Sequence, residues 1–157
     1  MKGAYIFLAN GFEEIEAIAT VDVLRRGGID ARTVSINDNA QVCGAHGVPV
    51  IADMTWDIFK RQTDLSHTGE QDVMVFPGGM PGTKNLADNQ ELMELMRLHY
   101  SEGGVVAAIC AAPGLVIPHL PTLDGKRFTC YDGFEAAPSA KGGEYVRTAA
   151  ASDGNLI

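Results

Sequence analysis

One cysteine, Cys110, stands where an apolar run meets a string of small residues, in Gly103-Gly104-Val105-Val106-Ala107-Ala108-Ile109-Cys110-Ala111-Ala112-Pro113-Gly114-Leu115. Val105–Ile109 reads as a strand covered on both faces in a parallel sheet. The small residues then open a helix that runs through His119. A side chain at such a junction sits on a sharp turn that lifts it out of the sheet, the geometry of a strand–turn–helix nucleophile elbow. The dipole and free N–H groups of the helix start favour thiolate over thiol. By position alone, Cys110 is either this activated nucleophile or a buried packing thiol, the commoner fate of one cysteine. Two other loops also follow apolar strands: Asn10-Gly11, with Glu13, Glu14 and Glu16 just beyond it, and Pro77-Gly78-Gly79. Functional residues of open α/β sheets gather at the carboxyl ends of the strands, so the three loops are expected on one rim.

The elements that must hold those loops follow from periodicity. Lys2–Leu8 is the first strand and Glu13–Arg26 the first helix, with Ala17, Ile18, Val21 and Leu24 at helical spacing and Gly27-Gly28 as its stop. Ile29–Ile36 is a second strand. Gln41–Cys43 and Val48–Ile51 flank Gly44-Ala45-His46-Gly47 as a small β-excursion. A short helix falls around Trp56–Lys60 within Met54–Gly69. Asp72–Phe76 is a strand, and Asn85–Tyr100 an amphipathic helix with Leu86, Leu92, Leu95 and Met96 inward. Gly125–Thr129 and Glu144–Ala150 are short strands, Ala136–Gly143 a loop and Ser152-Asp153-Gly154 a turn. Strands alternating with helices define an α/β three-layer sandwich with a mostly parallel sheet.

Composition bounds the function. The 157 residues suit one domain with a substantial core, and 46% of them are apolar. A net charge of −8 argues against sequence-specific nucleic-acid binding, which needs a basic surface to neutralise phosphates. No stretch approaches the roughly 20 apolar residues of a membrane span. The N-terminal apolar run passes into Asn10-Gly11-Phe12-Glu13-Glu14 without a small-residue cleavage site, which reads as a strand and not a signal peptide. Cys43, Cys110 and Cys130 show no CxxC spacing, so free thiols in a reducing cytoplasm are expected, with neither a disulfide framework nor zinc.

On these residues the chain resembles the ThiJ/PfpI superfamily, in its branch of protein deglycases and bacterial ThiJ-like proteins. The matching pieces are Leu8–Glu16, Val21–Gly28, Phe76–Gly82, Ala107–Pro113 and Thr129-Cys130-Tyr131, in the expected order along most of the chain. The resemblance implies a flavodoxin-like fold, a homodimer, no cofactor, and a reactive cysteine paired with a glutamate. Carried onto this sequence, Cys110 is the nucleophile and Glu16 its partner. A protonated carboxyl can donate to a thiolate and shuttle a proton during carbonyl addition. The amides of Gly78, Gly79 and Ala111 would stabilise charge developing on a substrate oxygen. Asn10, His46 and Cys130 are supporting positions: His46 lies in a loop that relatives extend toward the partner subunit, and Cys130 where relatives carry histidine or cysteine. Cys43 is expected near the dimer interface. His67, His99 and His119 are surface or packing residues.

The implied activity is a glyoxalase or deglycase acting on 2-oxoaldehydes or their protein or nucleotide adducts. The alternative is a redox sensor or chaperone in which Cys110 is oxidised to a sulfinate. Departures narrow the field. Family peptidases carry histidine after the nucleophile, where this chain has Ala111, and the later His-x-Glu of class I glutamine amidotransferases is missing. Nothing in the residues marks the thiazole or phosphate site that a thiamine-biosynthesis role needs. Relatives also continue past Asn155-Leu156-Ile157 through a Gly-Pro turn and a C-terminal helix. The expectation is thus one domain over residues 1–157, lacking that turn and helix, with sheet surface left uncovered.

Overall fold

A computed structural model describes residues 3–63 and 72–157. Its elements are β1 (Ala4–Leu8), α1 (Glu14–Arg26), β2 (Ala31–Ser35), β3 (Gln41–Cys43), β4 (Pro49–Ile51), β5 (Met54–Thr55) and α2 (Trp56–Gln62), then β6 (Val73–Phe76), α3 (Gly82–Asp88), α4 (Gln90–Ser101), β7 (Val105–Ala108) and α5 (Ala112–Leu115). A 3₁₀ turn at Ile117–His119 leads to β8 (Arg127–Phe128), α6 (Ala136–Ala140) and β9 (Glu144–Tyr145). The central sheet has the order β5-β2-β1-β6-β7, with every pairing parallel. This is a flavodoxin-like α/β sandwich.

Strand alternation sorts the core into two layers. Tyr5, Phe7, Met74, Phe76 and Val106 face the side packed by α2, α3 and α4, where Trp56, Phe59, Leu86, Leu92 and Met96 are buried. Phe7 anchors this side, with ring centroids 5.6 Å from both Phe59 and Phe76. Ala4, Ile6, Leu8 and Val75 face the other side, under Ala17 and Val21 of α1. Ile18, expected inward, is 42% exposed, because α1 meets the sheet through a narrower stripe.

Four expectations need correcting. The helix expected over Asn85–Tyr100 is two helices broken at Asn89, whose amide closes α3 on the Leu86 carbonyl while its Oδ1 accepts from Leu92 N–H at 3.0 Å and caps α4. The apolar spacing continues across the break, so periodicity hides it. Residues 136–143, expected as a loop, contain α6. The strands expected over Ile29–Ile36, Gly125–Thr129 and Glu144–Ala150 are shorter, ending where pairing to their neighbours ends. β7 is not covered on both faces: Ala107 and Ile109 line an open groove on the α1 side, and Ile109 is 46% exposed. That groove, about 1430 Å³, runs along the sheet from Gly3 and Val73 to Cys110. On the outer edge of β7, Asn155 O accepts from Val106 N–H and Ile157 O from Ala108 N–H, both at 2.9 Å, so the last residues extend the sheet in parallel. The expectation for His67 and the end of the Met54–Gly69 segment lies outside the described residues.

Candidate functional site

Three loops meet at the carboxyl ends of β1, β6 and β7, and main-chain bonds lock them together. Glu13 N–H donates to Gly78 O at 2.9 Å, Gly82 N–H to Gly11 O at 3.1 Å, and Ile109 N–H to Phe76 O at 3.2 Å. Gly79, with φ +87°, lies so close to the first loop that a Cβ there would meet Glu13 N at 2.4 Å. The Asn10-Gly11, Gly78-Gly79 and Cys110 loops therefore form the common rim that their positions after strands imply.

Cys110 has φ 60°, the one positive value among the described non-glycine residues. A left-handed turn at a residue with a side chain is strained, and here it swings the sulfur off the β7 axis toward Glu16. Glu16 belongs to the first turn of α1. Glu13 caps that helix, its Oε2 accepting from Glu16 N–H at 2.7 Å. The Glu16 carboxyl in turn accepts from Gly78 N–H at 2.7 Å and stands close enough to the Cys110 thiol for each to shift the other's ionisation. A Cβ on Gly78 would lie 2.6 Å from Glu16 Oε2, 2.7 Å from Cys110 Cβ and 3.2 Å from Cys110 Sγ. Gly78 is thus the floor between carboxyl and thiol, with no room for a side chain of its own.

The electrostatics differ from the simple elbow. Burial pushes the Glu16 carboxyl above its ordinary value, more than the Gly78 amide and the thiol pull it down. Burial also pushes the Cys110 thiol up, and the Glu16 charge and hydrogen bond add to this; N–H donation from Ala111 and Gly79 opposes without prevailing. The expectation that the helix start favours the thiolate is therefore opposed, first by burial and then by the Glu16 carboxylate. Helix α5 is only four residues long, and the adjoining carboxyl outweighs its dipole. Two acids in contact titrate as a pair, and the proton that remains after the first ionisation resides on sulfur or on oxygen. With the proton on oxygen, the site holds a thiolate beside a neutral acid.

The other expected residues fall into place around this pair. Ala111, 3% exposed, and Gly79 direct their N–H groups at the sulfur, whereas the Gly78 N–H is committed to Glu16. Asn10 is turned away: its Oδ1 accepts from Cys43 N–H at 3.0 Å and its carbonyl from Asn85 Nδ2 at 3.0 Å, fastening the β3–β4 hairpin to the rim. His46 completes the same clasp. Its backbone N–H donates to Glu14 Oε1 at 2.7 Å, and its ring Nδ1 lies 2.8 Å from Glu14 Oε2. Cys130 is half-buried and lines the groove beside Cys110. Cys43 is exposed at the end of β3, and His99 is fully buried with Nε2 3.0 Å from Val105 O. Glu13 favours the helix start from sequence and is its cap, whereas the bonds of Glu14 to His46 are what sequence reasoning misses. The Glu-x-x-Glu spacing at a helix start is the available signal for Glu13, because a carboxylate just before the first turn can accept from the N–H three residues on.

Among the described residues, Glu13, Glu14 and His46 bring ligand atoms within 4.8 Å of one another, a group of the kind that can hold a metal ion. Their geometry is already used by the ion pair. Its hydrogen bonds with His46 draw Glu14 down to about 2, and Glu14 in turn holds His46 above its ordinary value. A raised histidine stabilises the clasp below the unfolded pKa of about 6.5, and that contribution fades as pH rises through the folded value. In a titration followed by NMR, the His46 ring should therefore show a midpoint above about 6.5 that falls in Glu14→Gln. An unchanged midpoint would remove the clasp.

The DJ-1/PfpI family profile matches residues 2–157, bearing out the resemblance read from the motifs. Protein dj-1beta of Drosophila melanogaster is 32% identical, over 99% of this chain and 79% of its own. The crystal structure of that protein aligns with a TM-score of 0.85 at 31% identity, covering 99% of this chain and 79% of that one. A DJ-1 superfamily protein from Salmonella typhimurium aligns with a TM-score of 0.84 at 33% identity, covering 99% and 80%. The Arabidopsis thaliana proteins DJ-1 homolog A and B are 33% and 35% identical over 99% and 85% of this chain, which spans only 38% and 29% of their lengths. A Caenorhabditis elegans relative, 33% identical over 83% of this chain and 64% of its own, is named glutathione-independent glyoxalase DJR-1.2. The chain belongs to the DJ-1/PfpI family.

Proposed function

We propose that the chain is a cofactor-independent enzyme that converts 2-oxoaldehydes, or their adducts on proteins or nucleotides, into 2-hydroxy acids through Cys110. The observation that carries this reading is the Cys110–Glu16 contact over Gly78, with the amides of Gly79 and Ala111 aimed at the sulfur. The name of the Caenorhabditis elegans relative is consistent with it.

For methylglyoxal, the Cys110 thiolate adds to the aldehyde carbon, and the carbonyl π pair moves to oxygen. Glu16 donates its proton to that oxygen, giving a hemithioacetal and a carboxylate. Charge on the oxygen during addition is met by the Gly79 and Ala111 N–H groups. The carboxylate then removes the C1 hydrogen as a proton to give an enediolate; returning that proton to C2, while the C1 hydroxyl proton passes to the C2 oxygen, leaves the thioester of a 2-hydroxy acid. Water cleaves the C–S bond, releasing lactate and the thiol. The substrate is oxidised at C1 and reduced at C2, so no external electron acceptor is needed. The test is lactate formation from methylglyoxal without glutathione; purified protein that forms none contradicts the reading.

A second reading, oxidant sensing, uses the same thiol. It is favoured by the strained, half-buried placement of Cys110 on an open groove. Mass analysis after mild peroxide should find Cys110 oxidised, as an oxygen adduct or a disulfide, while Cys43 stays a free thiol. Equal oxidation at all three would count against it. Among the described residues, no helix is long and apolar enough to cross a membrane. The free thiols fit work in a reducing compartment such as the cytoplasm, and a version exported to an oxidising compartment should accumulate oxidised Cys110.

A further inference from the structure

Cys130 is the residue that neither the carbonyl chemistry nor the hairpin clasp uses. It stands on the wall of the groove into which Cys110 opens, and both thiols are free. The next residue, Tyr131, donates its N–H to the Cys110 carbonyl at 2.8 Å, so the two segments run side by side at the elbow. The bond makes Cys130 the chain neighbour of the residue that meets the Cys110 backbone, and a crosslink needs the two Cα atoms roughly 4.4–6.8 Å apart. The segments are far apart in sequence and held by separate elements: Cys110 follows β7, and Cys130 follows β8, which pairs with β9. Cys43, at the end of β3 beside Asn10, is no part of the groove lining.

We infer that Cys130 is the resolving thiol for Cys110: a hydroperoxide that oxidises Cys110 leads to a reversible Cys110–Cys130 disulfide in place of a sulfinate. The inference rests on Cys110 being the reactive thiol. The Cys110 thiolate attacks the peroxide O–O bond, forming an S–O bond and releasing water or an alcohol once the leaving oxygen is protonated. The sulfur is oxidised by two electrons to a sulfenic acid, and the peroxide is reduced by two. The Cys130 sulfur then displaces hydroxide from the sulfenic sulfur. The S–S bond forms, the Cys130 proton leaves with the hydroxide as water, and two thiols regenerate the site by exchange. A Cys110 locked in the disulfide takes no second oxygen and binds no carbonyl, so the device would shut off the proposed enzyme reversibly during peroxide stress.

The experiment is non-reducing peptide mapping of the full chain after one equivalent of hydrogen peroxide, in wild type and Cys130→Ser. In wild type the expected product is a peptide pair joined through Cys110 and Cys130 that dithiothreitol separates. In Cys130→Ser that pair is absent, and the sulfinate on Cys110 rises by about tenfold or more. Equal sulfinate in both proteins, with Cys130 a free thiol, overturns the inference while leaving Cys110 as the reactive residue. A Cys110 that takes up no oxygen in either protein overturns both. A misfolded Cys130→Ser does not shield the inference, because the wild-type crosslink must still form.

Discussion

Cys110→Ser is expected to lower lactate production from methylglyoxal by at least about 10³-fold, the loss typical of removing a covalent nucleophile. A serine hydroxyl keeps the shape of the turn and can still bond to Glu16, so the protein should fold normally. What disappears is the group that ionises. A hydroxyl does not share its proton with a carboxyl near neutral pH as a thiol can, and no addition to the aldehyde follows. Cys43→Ser is the comparison, since that thiol is exposed at the end of β3 and away from the rim. It should leave turnover unchanged. If Cys110→Ser retained lactate production, the covalent route would be wrong and the relative positions of thiol and carboxyl would need another explanation.

Gly78→Ala should be nearly as damaging, for a purely steric reason. The backbone at Gly78 is not in the left-handed region, so alanine carries no conformational penalty there. Its Cβ, however, would sit 2.6 Å from the Glu16 oxygen and 2.7 Å from Cys110 Cβ, where carbon contacts normally lie near 3.5–4.0 Å. Either the carboxyl leaves and forfeits the Gly78 N–H, or the elbow shifts. Misplacement on this scale costs about 10²-fold in kcat/KM, and overpacking about 1–3 kcal/mol of stability. The measurements are kcat/KM and urea unfolding of the same preparation. Full activity in Gly78→Ala would show that the contact between carboxyl and thiol is not what turnover requires.

Much of this architecture is legible in the amino-acid sequence. The alternation of strands and helices and the three loops after strands follow from local patterns that the fold respects, and the pairing of Glu16 with Cys110 from the motifs those loops carry. Other features are not legible, each for its own reason. Asn89 ends one helix and starts the next without interrupting the apolar spacing, so only its capping geometry shows the break. The open face of β7 depends on what packs above Ala107 and Ile109, which five apolar letters do not specify. The direction in which the Cys110 thiol is shifted is set first by burial and then by the Glu16 carboxyl, and a run of small residues reveals neither. A four-residue helix loses to burial and to a carboxyl in contact with the sulfur. Asn10 follows β1 as a site residue would, yet its side chain fastens the hairpin.

The central claim is that Glu16 and Cys110 share a proton, and the most direct measurement is the pH dependence of Cys110 alkylation, resolved by peptide mass, in wild type and Glu16→Gln. Wild type should ionise in two steps, because the first proton leaves the pair and the second leaves a site that is already negative. Glu16→Gln should show one step, below the upper wild-type midpoint, since removing the carboxylate removes a charge that raises the thiol. Superimposable single-step curves near the ordinary cysteine value of about 8.5 in both proteins would contradict the shared proton and the mechanism built on it.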